Sequence, residues 1–142
     1  YATPDTFRMN LRRFVNETRE KGATPILLTP VSRRRFDTSG MALETHKEYS
    51  AYVKEVAANE NVLLIDLDTN SREQYQQFGK GDPKLLFMQL KPGEHPNYPD
   101  GRDDNTHFNE LGARLIAQLV LKELKGLNIE LTERVFVPPV KK

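Results

Sequence analysis

Asp104-Asn105-Thr106-His107 places a carboxylate three residues ahead of an imidazole. At that spacing the chain can fold back within one turn, and the carboxylate then accepts the Nδ1–H bond of the ring. Such a bond fixes the tautomer and leaves Nε2 as a general base, the base-and-orienter half of a nucleophilic triad. The same residues have a plainer reading. Asp and Asn ahead of a helix are ordinary N-caps, and His107 can be a half-exposed surface residue. A third reading joins His95, in Glu94-His95-Pro96, to Asp104 and His107 as two imidazoles and a carboxylate around an open zinc site.

A base needs a nucleophile to activate. The serines are Ser32, Ser39, Ser50 and Ser71, and none lies in a G-x-S-x-G or S-x-x-K motif. Ser50 reads as mid-helix and the other three as loop or cap residues. Cysteine is absent, which removes thiol nucleophiles, thiolate ligands and disulfides. No glycine-rich phosphate cradle is present.

The elements that must position these residues follow from periodicity. Thr3, Pro4 and Asp5 open a helix running to about Lys21, with Phe7, Leu11, Phe14, Val15 and Thr18 on one face. Residues 24–29 and 62–67 read as buried strands, the second nearly continuous in apolar residues, as in parallel sheets covered on both faces. Leu43–Asn59 reads as a helix, Thr69–Phe78 as a short one, and Asn109–Lys125 as a third with Leu111, Leu115, Ile116, Leu119, Val120 and Leu124 inward. Between them, residues 79–105 read as a long Gly-, Pro-, Asp- and Asn-rich loop, and loops of that length tend to be functional. Residues 129–140 suit an edge strand or an extended arm. This alternation predicts α/β architecture with parallel strands. Two strands are too few for such a sheet, so the chain is expected to be the C-terminal part of a larger domain whose other strands precede Tyr1.

The whole sequence has 142 residues and a net charge of +1, with 37% hydrophobic and 29% charged residues. That is ordinary globular composition. No apolar run approaches the roughly 18 residues of a membrane span. Residues 1–36 hold eight basic and three acidic side chains, but the only dense run is Arg33-Arg34-Arg35. Nucleic-acid binders usually show a stronger basic face interleaved with aromatics, so no nucleic-acid partner is expected.

The block Asp104-x-x-His107-Phe108-Asn109-Glu110-Leu111-Gly112-Ala113 resembles the last conserved block of the SGNH (GDSL-type) hydrolases. Thr29-Pro30-Val31 and Arg34-Arg35-Phe36 narrow the resemblance to the rhamnogalacturonan acetylesterase-like branch, especially its bacterial members, from Tyr1 to about Leu124. The resemblance implies a flavodoxin-like three-layer α/β/α fold and a serine esterase that deacetylates pectic polysaccharide. His107 and Asp104 then match the family's catalytic His and Asp. The family's nucleophilic Ser, in a Gly-Asp-Ser turn, and its oxyanion-hole Gly and Asn have no counterpart here. Residues 1–142 are thus expected to be one C-terminal portion of a single domain, with 127–142 an extended tail, and to be inactive alone. The implied partners are an acetylated polysaccharide and, by self-association or pairing, a second chain or the absent N-terminal portion. No cofactor or metal is implied, and an extracytoplasmic location is. Arg33, Arg34 or Arg35 can meet acidic sugar groups, and Tyr98 can stack on a sugar. The competing expectation is a non-catalytic module that binds glycan or a partner through an exposed strand edge.

Overall fold

A computed structural model describes residues 2–79 and 81–135. Helix α1 spans Pro4–Glu20, with the Thr3 side chain accepting from the Thr6 amide at its start. Val15 is buried, but Phe14 and Met9 on the same helix are exposed, so only part of the expected inner face is covered. Phe7 meets Tyr49 edge-on at 4.9 Å, and the Arg8 guanidinium lies 4.5 Å from the centre of the Tyr52 ring. These contacts join α1 to α2, Lys47–Asn59. α2 starts four residues later than its periodicity suggests because residues 43–45 are bonded elsewhere. The Leu43 amide donates to the Arg35 carbonyl at 2.8 Å, and the Thr45 amide to Ser32 Oγ at 3.2 Å.

The two apolar runs form a parallel pair, β1 (Ile26–Leu28) and β2 (Leu63–Ile65), with Ile26 opposite Leu63 and Leu28 opposite Ile65. Both are shorter than expected. Pro25 and Pro30 flank β1 and lack a donor, and Asp66 accepts from the Thr69 amide, so the chain turns into helix α3 at Leu67 (Leu67–Phe78). Coverage is uneven: Ile65 is 1% exposed, while Leu28 is 40% exposed. The expectation of a buried strand at residues 24–29 is therefore met only in part, since Ile26 and Leu27 are half-buried and Leu28 is exposed.

The described residues of 79–105 do not form one long loop. A 3₁₀ turn (Asp82–Leu86) leads into β3 (Phe87–Leu90), which pairs antiparallel with β4 (Arg102–Phe108). Tertiary packing overrides the polar composition here: Leu86 and Phe87 are buried with Tyr75 in one core cluster. Gly101 permits the return, with φ +79°, where a Cβ would stand 2.6 Å from the Leu90 carbonyl oxygen.

Helix α4 (Glu110–Gly126) packs Ile116 against Ile65 and Leu67, with Leu119, Val120 and Leu124 alongside. Leu111, expected inward, is 52% exposed. Within the stretch expected as a strand or extended arm, residues 130–133 form a single helical turn, α5 (Glu130–Glu133); the rest of that expectation, at residues 136–140, lies outside the described residues. Among the described residues, no helix is long and apolar enough to cross a membrane.

Candidate active site

The Asp104–His107 segment belongs to strand β4, not to a loop, and it is thrown out of the ladder. Phe87 pairs with Phe108 and Gln89 with Asp103, so Met88 alone faces residues 104–107. This bulge, four residues against one, re-aims the side chains it carries. Asp104 organises it. Its Oδ1 accepts the amides of Thr106 at 2.7 Å and His107 at 3.0 Å. Its Oδ2 lies 2.7 Å from His107 Nδ1, and Arg102 donates to the same oxygen from Nη2 at 3.0 Å and Nε at 3.3 Å. Gln89 Nε2 donates to the Asp104 backbone carbonyl at 2.9 Å, closing the bulge against β3.

Burial by itself pushes the Asp104 carboxyl up. The bonds from the His107 ring, the His107 and Thr106 amides and the Arg102 guanidinium outweigh it and hold the group well below the usual carboxylate range. An ionised carboxylate only accepts, so Nδ1 of a neutral ring must carry the proton and Nε2 the lone pair. The Asp104 side chain is 9% exposed and that of His107 is 70% exposed. The pair is therefore a nearly buried carboxylate holding an accessible imidazole.

Asn109 anchors the segment at its far end. Its Oδ1 caps α4 by accepting from the Gly112 amide at 3.0 Å, while Nδ2 donates to the carbonyls of Leu85 at 2.7 Å and Phe87 at 3.1 Å. The helix start lies so close to the 3₁₀ turn that a Cβ on Gly112 would collide with the Leu86 carbonyl oxygen. Phe108 packs on Phe87 at 4.8 Å, tying the strand to the core.

The other expected site residues are placed differently. His95 bridges to Tyr98 in the β3–β4 connection, and among the described residues no three His, Asp or Glu side chains gather as a metal-holding group. The proposed trio of His95, Asp104 and His107 is thus not assembled. Ser32 is buried against Thr45 and the Leu43 carbonyl, Ser39 donates to Asp37, and Ser50 is buried in α2. Ser71, expected in a loop or cap, is buried inside α3 and donates to the Asp68 carbonyl. Among the described residues, no serine hydrogen-bonds to His107. Arg33 and Arg35 are exposed, whereas Arg34 turns inward and donates from Nη1 to Asn105 Oδ1 at 2.9 Å. Tyr98 is half-buried, with the Arg102 guanidinium 5.5 Å from its ring centre.

Sequence reasoning missed Arg102 and the Arg34–Asn105 contact. Arg102 stands two residues before Asp104, but residues 102–107 are all polar and carry no alternation that marks a strand. Arg34 and Asn105 are 71 positions apart, and no local pattern connects them.

No protein-family model matches the chain. The rhamnogalacturonan acetylesterase RhgT of Bacillus subtilis strain 168 is 42% identical over 90% of this chain, which spans 55% of that relative's length. The crystal structure of YxiM from Bacillus subtilis superposes with a TM-score of 0.74 at 27% identity, covering 90% of this chain and 33% of that one. The lipase/acylhydrolase of Enterococcus faecalis gives a TM-score of 0.52 at 25% identity, covering 89% of this chain and 54% of that one. The architecture is therefore the mixed α/β fold of the SGNH-type lipase/acylhydrolases, with its parallel strands. By sequence the chain is a homologue of rhamnogalacturonan acetylesterase, and it spans about half the length of that relative.

Proposed function

We propose that this chain supplies the His–Asp half of a Ser-His-Asp triad in a carbohydrate esterase that removes acetyl groups from a pectic polysaccharide such as rhamnogalacturonan. The observation that carries this reading is the 2.7 Å bond from His107 Nδ1 to a nearly buried Asp104 carboxylate, with the rest of the ring exposed. In this mechanism His107 Nε2 takes the proton of a serine hydroxyl as its oxygen attacks the acetyl carbonyl. The imidazolium then gives that proton to the departing sugar oxygen, and Asp104 stabilises the cation while the acyl-enzyme forms. Water, activated by the same nitrogen, releases acetate.

The serine and the oxyanion donors come from a segment that this chain does not contain, so residues 1–142 are inactive alone. Loss of one oxyanion donor costs roughly 100- to 1,000-fold, and here the nucleophile is missing as well. A polymeric pectic substrate also places the enzyme's work outside the cytoplasm. The test is acetate release from acetylated rhamnogalacturonan by the polypeptide that joins this chain to an N-terminal portion. His107→Ala should lower kcat by about 10³-fold or more with the fold retained. Retained turnover in that variant would remove His107 from the mechanism.

A further inference from the structure

The bonds that shape the Asp104–His107 bulge are local. Asp104 is held by Thr106, His107 and Arg102 from its own strand and by Gln89 from β3, so the dyad keeps its internal geometry wherever the hairpin goes. β3–β4 is a separate sheet from β1–β2. Among the described residues, every hydrogen bond joining β4 to the first half of the chain comes from Arg34, in the segment that leaves the C-terminal end of β1. Its backbone amide donates to the Asn105 carbonyl at 2.9 Å, and its Nη1 donates to Asn105 Oδ1 at 2.9 Å. Two bonds to one residue, from main chain and side chain together, fix orientation as well as distance.

We propose that Arg34 is a positioning residue that latches the Asp104–His107 bulge, through Asn105, to the segment following β1. This rests on the esterase reading of the site. Asn105 directly follows Asp104, so a displacement of Asn105 is passed to the dyad. The latch itself is anchored at both sides. The Arg33 amide donates to Thr45 Oγ1 and the Leu43 amide to the Arg35 carbonyl, each at 2.8 Å. Phe36, whose ring centre lies 5.9 Å from the Arg34 guanidinium, packs against the cluster of Tyr75, Leu86 and Phe87. Active sites of open α/β sheets assemble at the carboxyl ends of the parallel strands, so a base carried on a separate hairpin must be pinned there. Misplacement by about 1 Å can cost on the order of 100-fold in rate. Arg34 thus differs from Arg33 and Arg35, which remain exposed.

The experiment uses the polypeptide that joins this chain to an N-terminal portion, with Arg34→Ala, Arg34→Lys, Asn105→Ala and the double alanine variant. Steady-state kinetics on acetylated rhamnogalacturonan and hydrogen exchange of the peptide covering residues 102–108 are measured on each. Arg34→Ala should lower kcat about tenfold with KM within about twofold, and Arg34→Lys should recover most of the loss. In the Asn105→Ala background, Arg34→Ala should add little. Exchange in 102–108 should quicken in both single alanine variants and no further in the double. A rise in KM at constant kcat that persists in the Asn105→Ala background would overturn the proposal and make Arg34 a substrate contact. If the wild type releases no acetate, the esterase reading falls. The latch is then judged by exchange alone: additive effects of the two substitutions reject it, and non-additive ones uphold it.

Discussion

Asp104 is the residue on which the site turns, because five donors converge on one carboxylate. Asparagine is nearly its isostere, yet it turns one acceptor into a donor. In Asp104→Asn the side-chain NH₂ facing Nδ1 favours the opposite tautomer, with the proton on Nε2. The joined polypeptide should then lose about 10⁴-fold in kcat, the magnitude known for the equivalent change in a serine protease triad. The same carboxylate links the site to acid stability. Its folded-state affinity for protons is depressed, so it contributes stability above the ordinary carboxylate value of about 3.9 and loses it as the pH falls below that. The stability advantage of wild type over Asp104→Asn should therefore be largest near neutral pH and shrink from about pH 4 downward. Urea unfolding of both at pH 7 and pH 3 measures it; a constant difference would mean the carboxylate's charge is not what stabilises the bulge. At this scale the Asp-x-x-His spacing offered the ring–carboxylate bond beside a helix-cap reading and a zinc reading, and the bond is formed. The Arg102 contact was not legible, because the polar run around it reads as a loop until β3 supplies a partner.

At the scale of elements, the site depends on how α4 meets the 3₁₀ turn. Gly112 has to be glycine there. In an ordinary helix, alanine at that position would gain about 1 kcal/mol over glycine. Here its Cβ would strike the Leu86 carbonyl and stand 2.8 Å from the Phe108 ring, and overpacking of that kind costs about 1–3 kcal/mol. Backbone atoms cannot yield as a flexible side chain does, so Gly112→Ala should lower the unfolding free energy despite the better helix former. An unchanged or raised midpoint in denaturant would contradict the close approach. Asn109 separates two further contributions. Asn109→Asp keeps the cap on the Gly112 amide but loses the donors to the Leu85 and Phe87 carbonyls, whereas Asn109→Ala loses both. Chemical denaturation should place both variants below wild type: alanine loses a cap worth about 1 kcal/mol, and aspartate sets a carboxylate oxygen against the two carbonyls. The start of α1 at Thr3 and Pro4 was legible because caps act within one turn. The late start of α2 was not, since residues 43–45 are claimed by Ser32 and Arg35 from outside the window.

At the scale of the whole molecule, two small sheets share one core. Ile65 and Leu67 meet Ile116, while Tyr75, Leu86 and Phe87 form the neighbouring cluster, and Val31 and Phe108 touch both. The chain spans about half the length of the RhgT acetylesterase, and the proposal assigns the activity to a longer polypeptide. Residues 1–142 alone should hydrolyse 4-nitrophenyl acetate no faster than a His107→Ala control, while the joined polypeptide should do so measurably. Chelator should leave the rate of the joined polypeptide unchanged, as triad chemistry requires. A loss with chelator that zinc restores would point instead to a metal-dependent deacetylase.

The sequence by itself marked the four long helices, the parallel pairing of the two apolar runs, and the Asp104–His107 bond as one of three readings of that motif. Each of these depends on interactions within a turn or on burial patterns that repeat along the chain. Tertiary structure alone decided that residues 87–90 and 102–108 form a hairpin, that His107 rides on a bulge of that hairpin, and that Arg34 holds Asn105. Those outcomes rest on pairings between residues up to 71 positions apart, which no local periodicity encodes. They depend on Leu86 and Phe87 being drawn into a core that only the assembled helices provide.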